Sequence, residues 1–158
     1  MNLSTPEPQD VLIGLGANLG DRRNAIERAV DAIDDLPDTD VVDVSDLYET
    51  KARFVEQQPD FINACARIET ALSPRALLDS LLTIERAMGR VRDVDKGPRV
   101  IDLDILLYGA RIVDREGLTI PHRDLHNRRF VLEPLADIAA DFVHPVLETT
   151  VAQLLEQL

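Results

Sequence analysis

The sequence predicts an α+β domain in which an antiparallel sheet carries two helices on one face. Three observations lead there. Short apolar runs at residues 11–15, 61–70 and 100–108 show strand length or period-two alternation, two intervening stretches repeat apolar residues at three- and four-residue spacing, and the element order is β-α-β-β-α-β.

The run Val11-Leu-Ile-Gly-Leu15 is short, continuous and closed by Gly16, as in a buried strand. Asp21 opens a helix with Ile26, Ala29, Val30 and Ile33 on one side, and Pro37 closes it. Residues 41–50 are valine-rich and partly alternating, a second strand. Residues 61–70 alternate more cleanly, with Ile62, Ala64, Ala66 and Ile68 on one face and Phe61, Asn63, Cys65, Arg67 and Glu69 on the other. Ser73 and Pro74 begin a second helix as capping hydroxyl and first-turn proline. Its buried stripe is Leu77, Leu81, Ile84 and Met88, and Gly89 ends it. A fourth strand covers residues 100–108. This order is the ferredoxin-like, or split βαβ, arrangement. Beyond it, residues 111–113 and 118–120 form a C-terminal hairpin, and residues 128–136 and 150–158 form short helices.

At 158 residues and 45% hydrophobic, the chain suits a single core. Residues 1–10 are polar and proline-containing, a flexible N-terminal tail, and residues 11–158 are read as one domain. Four Phe, two Tyr and no Trp leave Val, Ile, Leu and Ala to fill the core, so a Phe off the apolar face calls for a reason. Cys65, the only cysteine, has no internal disulfide partner, which together with the absence of a leader-like or membrane-length apolar run predicts a soluble, cytoplasmic protein. The net charge of −12 argues against nucleic acid as a partner. Residues 86–129 nonetheless hold ten Arg or Lys against seven Asp or Glu, a local +3 that leaves −15 for the remainder. A basic island in an acidic chain fits a compact anion such as a nucleotide triphosphate, or simply a solvated charged face.

In Val100-Ile-Asp-Leu-Asp-Ile-Leu-Leu-Tyr108, alternation turns Ile101, Leu103, Ile105 and Leu107 inward and gives Asp102 and Asp104 the opposite face. Their Cα atoms are then about 7 Å apart. Two such acids repel unless a cation lies between them, and magnesium takes one or two carboxylates with phosphate and water completing its shell. By itself Asp-x-Asp is short and common, and is more often an exposed strand face with two solvated acids. Arg90, Arg92 and Arg99 lie in one loop between the second helix and this strand, near Gly97, and bring guanidinium forks suited to phosphate.

The motifs Gly14-Leu-Gly-Ala-Asn-Leu-Gly20, Gln58-Pro-Asp-Phe-Ile-Asn63, Gly89-Arg-Val-Arg92, Gly97-Pro-Arg-Val-Ile-Asp-Leu-Asp-Ile-Leu106, Ile120-Pro-His-Arg-Asp124 and Asn127-Arg-Arg-Phe130 stand in this order. From Val11 onward the chain resembles the hydroxymethyldihydropterin pyrophosphokinases. The resemblance implies a folate-pathway transferase that moves pyrophosphate from ATP to 6-hydroxymethyl-7,8-dihydropterin and releases AMP. It further implies that Asp102 and Asp104 ligate two magnesium ions, with Arg90 and Arg92 also catalytic, and that Arg90, Arg92, Arg99, His122 and Arg128 hold the ATP. By the same likeness Thr50, Phe61, Asn63 and Phe130 bind the pterin, the ring stacking between the two phenylalanines while the Asn63 amide reads its edge. The protein is read as a monomer.

His122 and His126 are four apart, but the Pro-His-Arg-Asp context reads as a turn rather than a metal-binding helix, and His144 is read as structural or exposed. The glycines of residues 14–20 lack the dinucleotide-fingerprint spacing. The sequence departs from the family pattern at Lys51-Ala-Arg-Phe-Val55 and at Asp95-Lys96, both in expected lid segments. A ferredoxin-like regulatory module and a different magnesium nucleotidyltransferase are the rival readings. The first needs neither the acid pair nor the arginine loop.

Overall fold

The computed structural model describes residues 7–50, 60–89 and 100–158. The elements are β1 (Gln9–Ala17), α1 (Arg22–Asp34), β2 (Thr39–Val44), β3 (Tyr48–Thr50), β4 (Phe61–Thr70), α2 (Pro74–Ala87), β5 (Asp102–Tyr108), β6 (Val113–Arg115), β7 (Leu118–Ile120), a 3-10 turn (Leu125–Asn127), α3 (Arg129–Ala139), β8 (Val143–His144), β9 (Thr149–Thr150) and α4 (Val151–Glu156). The main sheet is antiparallel in the order β2-β4-β1-β5, with β3 also on β4.

Both long helices start as their sequences dictate. Asp21 caps α1 through Asn24 N–H at 3.2 Å, and Ser73 caps α2 through Ala76 N–H at 3.2 Å, with Pro74 in the first turn. Their apolar stripes, Ala25, Ile26, Ala29 and Ile33 from α1 and Leu77, Leu81 and Ile84 from α2, pack on one sheet face. That face presents Val11, Ile13 and Leu15 of β1, Ile62 to Ile68 at even positions of β4, and Leu103 and Ile105 of β5.

The other face is covered too. Leu132, Leu135 and Ala139 of α3 and Val151 and Leu154 of α4 form a second core with Leu12, Cys65, Leu106 and Leu107. Helices therefore lie on both faces, where the sequence suggested one. Cys65 is fully buried here, so its thiol is pushed far above the ordinary range by desolvation. No helix among the described residues is long and apolar enough to cross a membrane.

Other boundaries differ for local reasons. β1 begins at Gln9, taking in the last two residues of the stretch read as tail, because Gln9 pairs with Thr70 and Asp10 with Glu69, and the Asp10 carboxylate binds Arg67 at 2.6 Å. The tail's residues 1–6 lie outside the described residues. The strand expected at 41–50 is broken between β2 and β3, where Ser45 turns its side chain into the ladder and its Oγ accepts the Cys65 N–H at 2.8 Å. Leu107 leaves the expected face. β5 has a bulge at Leu106, since Leu12 pairs with Leu107 and Ile13 with Ile105, and this sends Leu107 to the α3 side and Tyr108 to the α1–α2 side. The hairpin forms with its first strand two residues later than expected.

Candidate active site

Register brings the predicted acids and the predicted pterin residues into one frame. Gly16 of β1 is opposite Asp102 on one side and Asn63 on the other, and Gly14 is opposite Asp104 and Cys65. At the usual interstrand spacing Asp102 and Asn63 are roughly 10 Å apart at their Cα atoms. The strand between them carries no side chain on that face at either position, and a side chain there would crowd its neighbours. A Cβ on Gly14 would stand 3.2 Å from the Leu106 side chain, and one on Gly16 would stand 3.3 Å from Asn63 Oδ1 and 3.9 Å from the Phe61 ring. The glycine motif thus lets neighbouring side chains approach the β1 backbone closely, Leu106 over Gly14 and Asn63 with Phe61 over the buried Gly16.

On the Asn63 side, Asn63 Nδ2 donates to Thr50 Oγ1 at 2.8 Å, and Thr50 is opposite Phe61. Phe61, Asn63 and Thr50 are all half-buried, so each keeps a surface for a ligand. Tyr48, opposite Asn63, donates its hydroxyl to Asp137 of α3 at 2.8 Å, which pushes the phenol up to about 12. Arg22, at the start of α1, holds both chain ends flanking residues 51–59: it bridges Glu49 at 2.9 Å and donates to the Asp60 carbonyl at 2.6 Å.

On the acid side, β7 leads through a cis Ile120–Pro121 bond to His122, whose backbone N–H donates to the Leu106 carbonyl at 2.9 Å. The loop is thereby fixed beside β5. His122 is held below its ordinary range first by burial and then by Arg128, with Asp124 and Asp102 opposing. Its Nδ1 accepts the Asp124 N–H at 3.3 Å, which leaves the proton of the neutral ring on Nε2. Arg128 pairs with Asp124 at 3.2 Å and lies 5.7 Å over the Phe130 ring.

The donor set suits a hard cation. Asp102, half-buried, and Asp104, exposed, offer carboxylate oxygens. No group of three or more His, Cys, Asp or Glu gathers around them among the described residues; two carboxylates are a donor set that magnesium can use with phosphate and water. Arg90, Arg92, Arg99 and the Lys51-Ala52 and Asp95-Lys96 departures lie outside the described residues. His126 sits edge-on to His144, ring centroids 6.5 Å apart, and His144 is structural: its Nδ1 accepts the Val146 and Leu147 N–H groups at 3.2 and 3.1 Å.

Sequence reasoning missed Arg22, Tyr48 and Glu85. The Glu85 carboxylate, from α2, accepts the Leu103 N–H at 2.8 Å. Its signal was present, since an acid stands four residues after Leu81 on the helix's apolar stripe. Arg22 and Tyr48 had no such mark, because their partners are remote in sequence.

The described residues form an α+β fold in which Asp102 and Asp104 of β5 lie on one side of Gly14 and Gly16 and Asn63 of β4 on the other, with His122 beside β5. The chain matches the 7,8-dihydro-6-hydroxymethylpterin-pyrophosphokinase (HPPK) family over residues 12–140 and belongs to that family. It is similar to the 2-amino-4-hydroxy-6-hydroxymethyldihydropteridine pyrophosphokinases of Haemophilus influenzae, 50% identical over 84% of this chain and 83% of that protein, and of Pseudomonas aeruginosa, 46% identical over 87% and 85%. It is also 44% identical to the folic acid synthesis protein fol1 of Pneumocystis carinii over 94% of its own length, but spans only 20% of that protein. Among solved structures, the Plasmodium falciparum HPPK-DHPS with pteroate superposes with a TM-score of 0.77 at 16% identity, over 98% of this chain and 43% of that one, a likeness of fold.

Proposed function

We propose that this chain transfers the pyrophosphoryl group of ATP to 6-hydroxymethyl-7,8-dihydropterin, a step of folate synthesis, and releases AMP. The substrate hydroxyl oxygen forms a bond to the β-phosphorus, the bond from that phosphorus to the α,β-bridging oxygen breaks, and AMP leaves with that oxygen while the hydroxyl proton passes to solvent. The observation that carries this reading is the shared register of Asp102 and Asn63 on either side of Gly16. It supports a pterin held by Asn63, Thr50, Phe61 and Phe130 with its hydroxymethyl arm toward the acids.

Asp102 and Asp104 would hold two magnesium ions, whose chemistry there is neutralisation of phosphate charge and alignment of attacking and leaving oxygens. His122, neutral with its proton on Nε2, donates to a phosphate oxygen, and Arg128 adds charge beside it. Arg90, Arg92 and Arg99 are assigned to the triphosphate by family likeness. Catalysis is then positioning and charge neutralisation, with no side chain required as general base. The strand order β2-β4-β1-β5, with β2 and β3 counted as one interrupted strand, supports the ferredoxin-like description of the fold. The protein is assigned to the cytoplasm as a monomer.

The test is product analysis with ATP, magnesium and the pterin alcohol. AMP forms only when all three are present. ADP as product would overturn the assigned bond cleavage, and AMP formed without the pterin would point to a different nucleotidyl chemistry.

A further inference from the structure

We infer that Glu85 is a positioning residue that fixes the peptide between Asp102 and Leu103 and so sets the directions in which the two strand carboxylates point. The inference rests on the metal-binding reading of Asp102 and Asp104 given above.

Glu85 is 2% exposed, near the C-terminus of α2, a place that is electrostatically unfavourable for an anion because the helix carbonyls already concentrate negative charge there. A buried carboxylate kept against both desolvation and the helix dipole needs a compensating donor. One such donor is the Leu103 N–H, at 2.8 Å from Oε2. β5 is the last strand of the order β2-β4-β1-β5, with β1 as its only sheet partner among the described residues. An N–H of β5 directed away from β1 therefore finds no strand, and Leu103 is itself buried. Glu85 takes the place of the missing neighbour.

The position of that bond matters more than its strength. Leu103 is the single residue separating the two acids. Its N–H belongs to the planar unit that begins at the Asp102 carbonyl, so rotation of that unit changes the backbone angles on which the Asp102 side chain is mounted and tilts the Asp104 end of the strand. A charge-assisted bond at this point holds the plane from the helix side while the carboxylates work on the opposite face. The sheet alone leaves that edge open to rotation.

The test compares Glu85→Met, which keeps the length and loses the acceptor, with Glu85→Gln, which keeps an acceptor and loses the charge. Three quantities are read: hydrogen exchange of the Leu103 amide in metal-free protein, the magnesium concentration for half-maximal AMP formation, and pterin affinity. By analogy with groups that orient metal ligands, Glu85→Met should lose at least about tenfold in Leu103 protection and raise the half-saturating magnesium by roughly tenfold. Pterin affinity should be unchanged, and Glu85→Gln should stay close to the parent in all three. Unaltered magnesium dependence in Glu85→Met overturns the inference. So does a Gln variant as impaired as the Met variant while its Leu103 amide remains protected. If the Met variant does not fold, Glu85→Asp, one methylene shorter, replaces it with the same expectations. Asp102→Asn in the same assay separates the two ideas: an unchanged magnesium requirement there would remove the metal reading, while the exchange measurement still reports whether Glu85 holds the peptide.

Discussion

Gly16 and Asn63 face each other across β1 and β4 so closely that a methyl group on the glycine would stand 3.3 Å from the amide oxygen. Asn63 has little room to withdraw, because its Nδ2 is committed to Thr50. Gly16→Ala should therefore turn or displace the amide and weaken pterin binding roughly tenfold, about 1.4 kcal/mol, with ATP affinity preserved. Calorimetric titration with each ligand checks this. Equal loss of both affinities would show a general collapse of the strand.

Asp102→Asn keeps the shape of the side chain and removes its charge. Turnover should fall by roughly a hundredfold or more at fixed magnesium, while pterin affinity changes little. Steady-state kinetics and equilibrium pterin binding give the two numbers, and a comparable drop in both would reassign the residue to the pterin pocket.

The two shifted histidines contribute to the acid limb of stability. His122 and His144 are both held below the ordinary 6.5 by burial first of all. Between that value and their lowered folded values the unfolded chain binds more protons than the native one, so stability falls as pH drops below 6.5. Protonating His144 also ends its acceptance of the Val146 and Leu147 N–H groups. A His144→Gln variant should show a shallower decline of Tm with falling pH over this window. An identical slope would place the titration elsewhere.

Together with the raised thiol of Cys65 and phenol of Tyr108, Tyr48 contributes on the alkaline side. Its phenol moves from 10 to about 12 because it donates to Asp137. In that interval the native state holds a proton that the unfolded chain has released, so the stability from this contact is intact below pH 10 and disappears as pH rises toward 12. Tyr48→Phe should remove this part of the alkaline decline and raise the KM for pterin, since β3 carries Thr50 and loses its tie to α3. Denaturation midpoints across pH 9 to 12, with KM measured at neutral pH, test both effects.

The fold was readable where periodicity and chain punctuation agree. The alternation of residues 61–70 and the caps Asp21 and Ser73 are local facts, and β4, α1 and α2 follow them almost to the residue. The bulge at Leu106 was not readable, because Leu106 and Leu107 are both apolar and either face would accept them. Both side chains end in the second core, with Leu106 packed over Gly14. Likewise, a break at Ser45 depends on its hydroxyl meeting Cys65, twenty residues away.

The sequence by itself determined the principal elements and the residue types on offer: which residues are apolar at which period, which are hard oxygen donors, and which positions are bare glycine. These properties belong to single residues and near neighbours along the chain. The tertiary structure alone decided that Gly16 stands between Asp102 and Asn63, that burial holds His122 below its ordinary range, and that Glu85 reaches Leu103. Those relations depend on strand register and helix docking, and both are settled by burial summed over the whole core, which no short stretch of sequence carries.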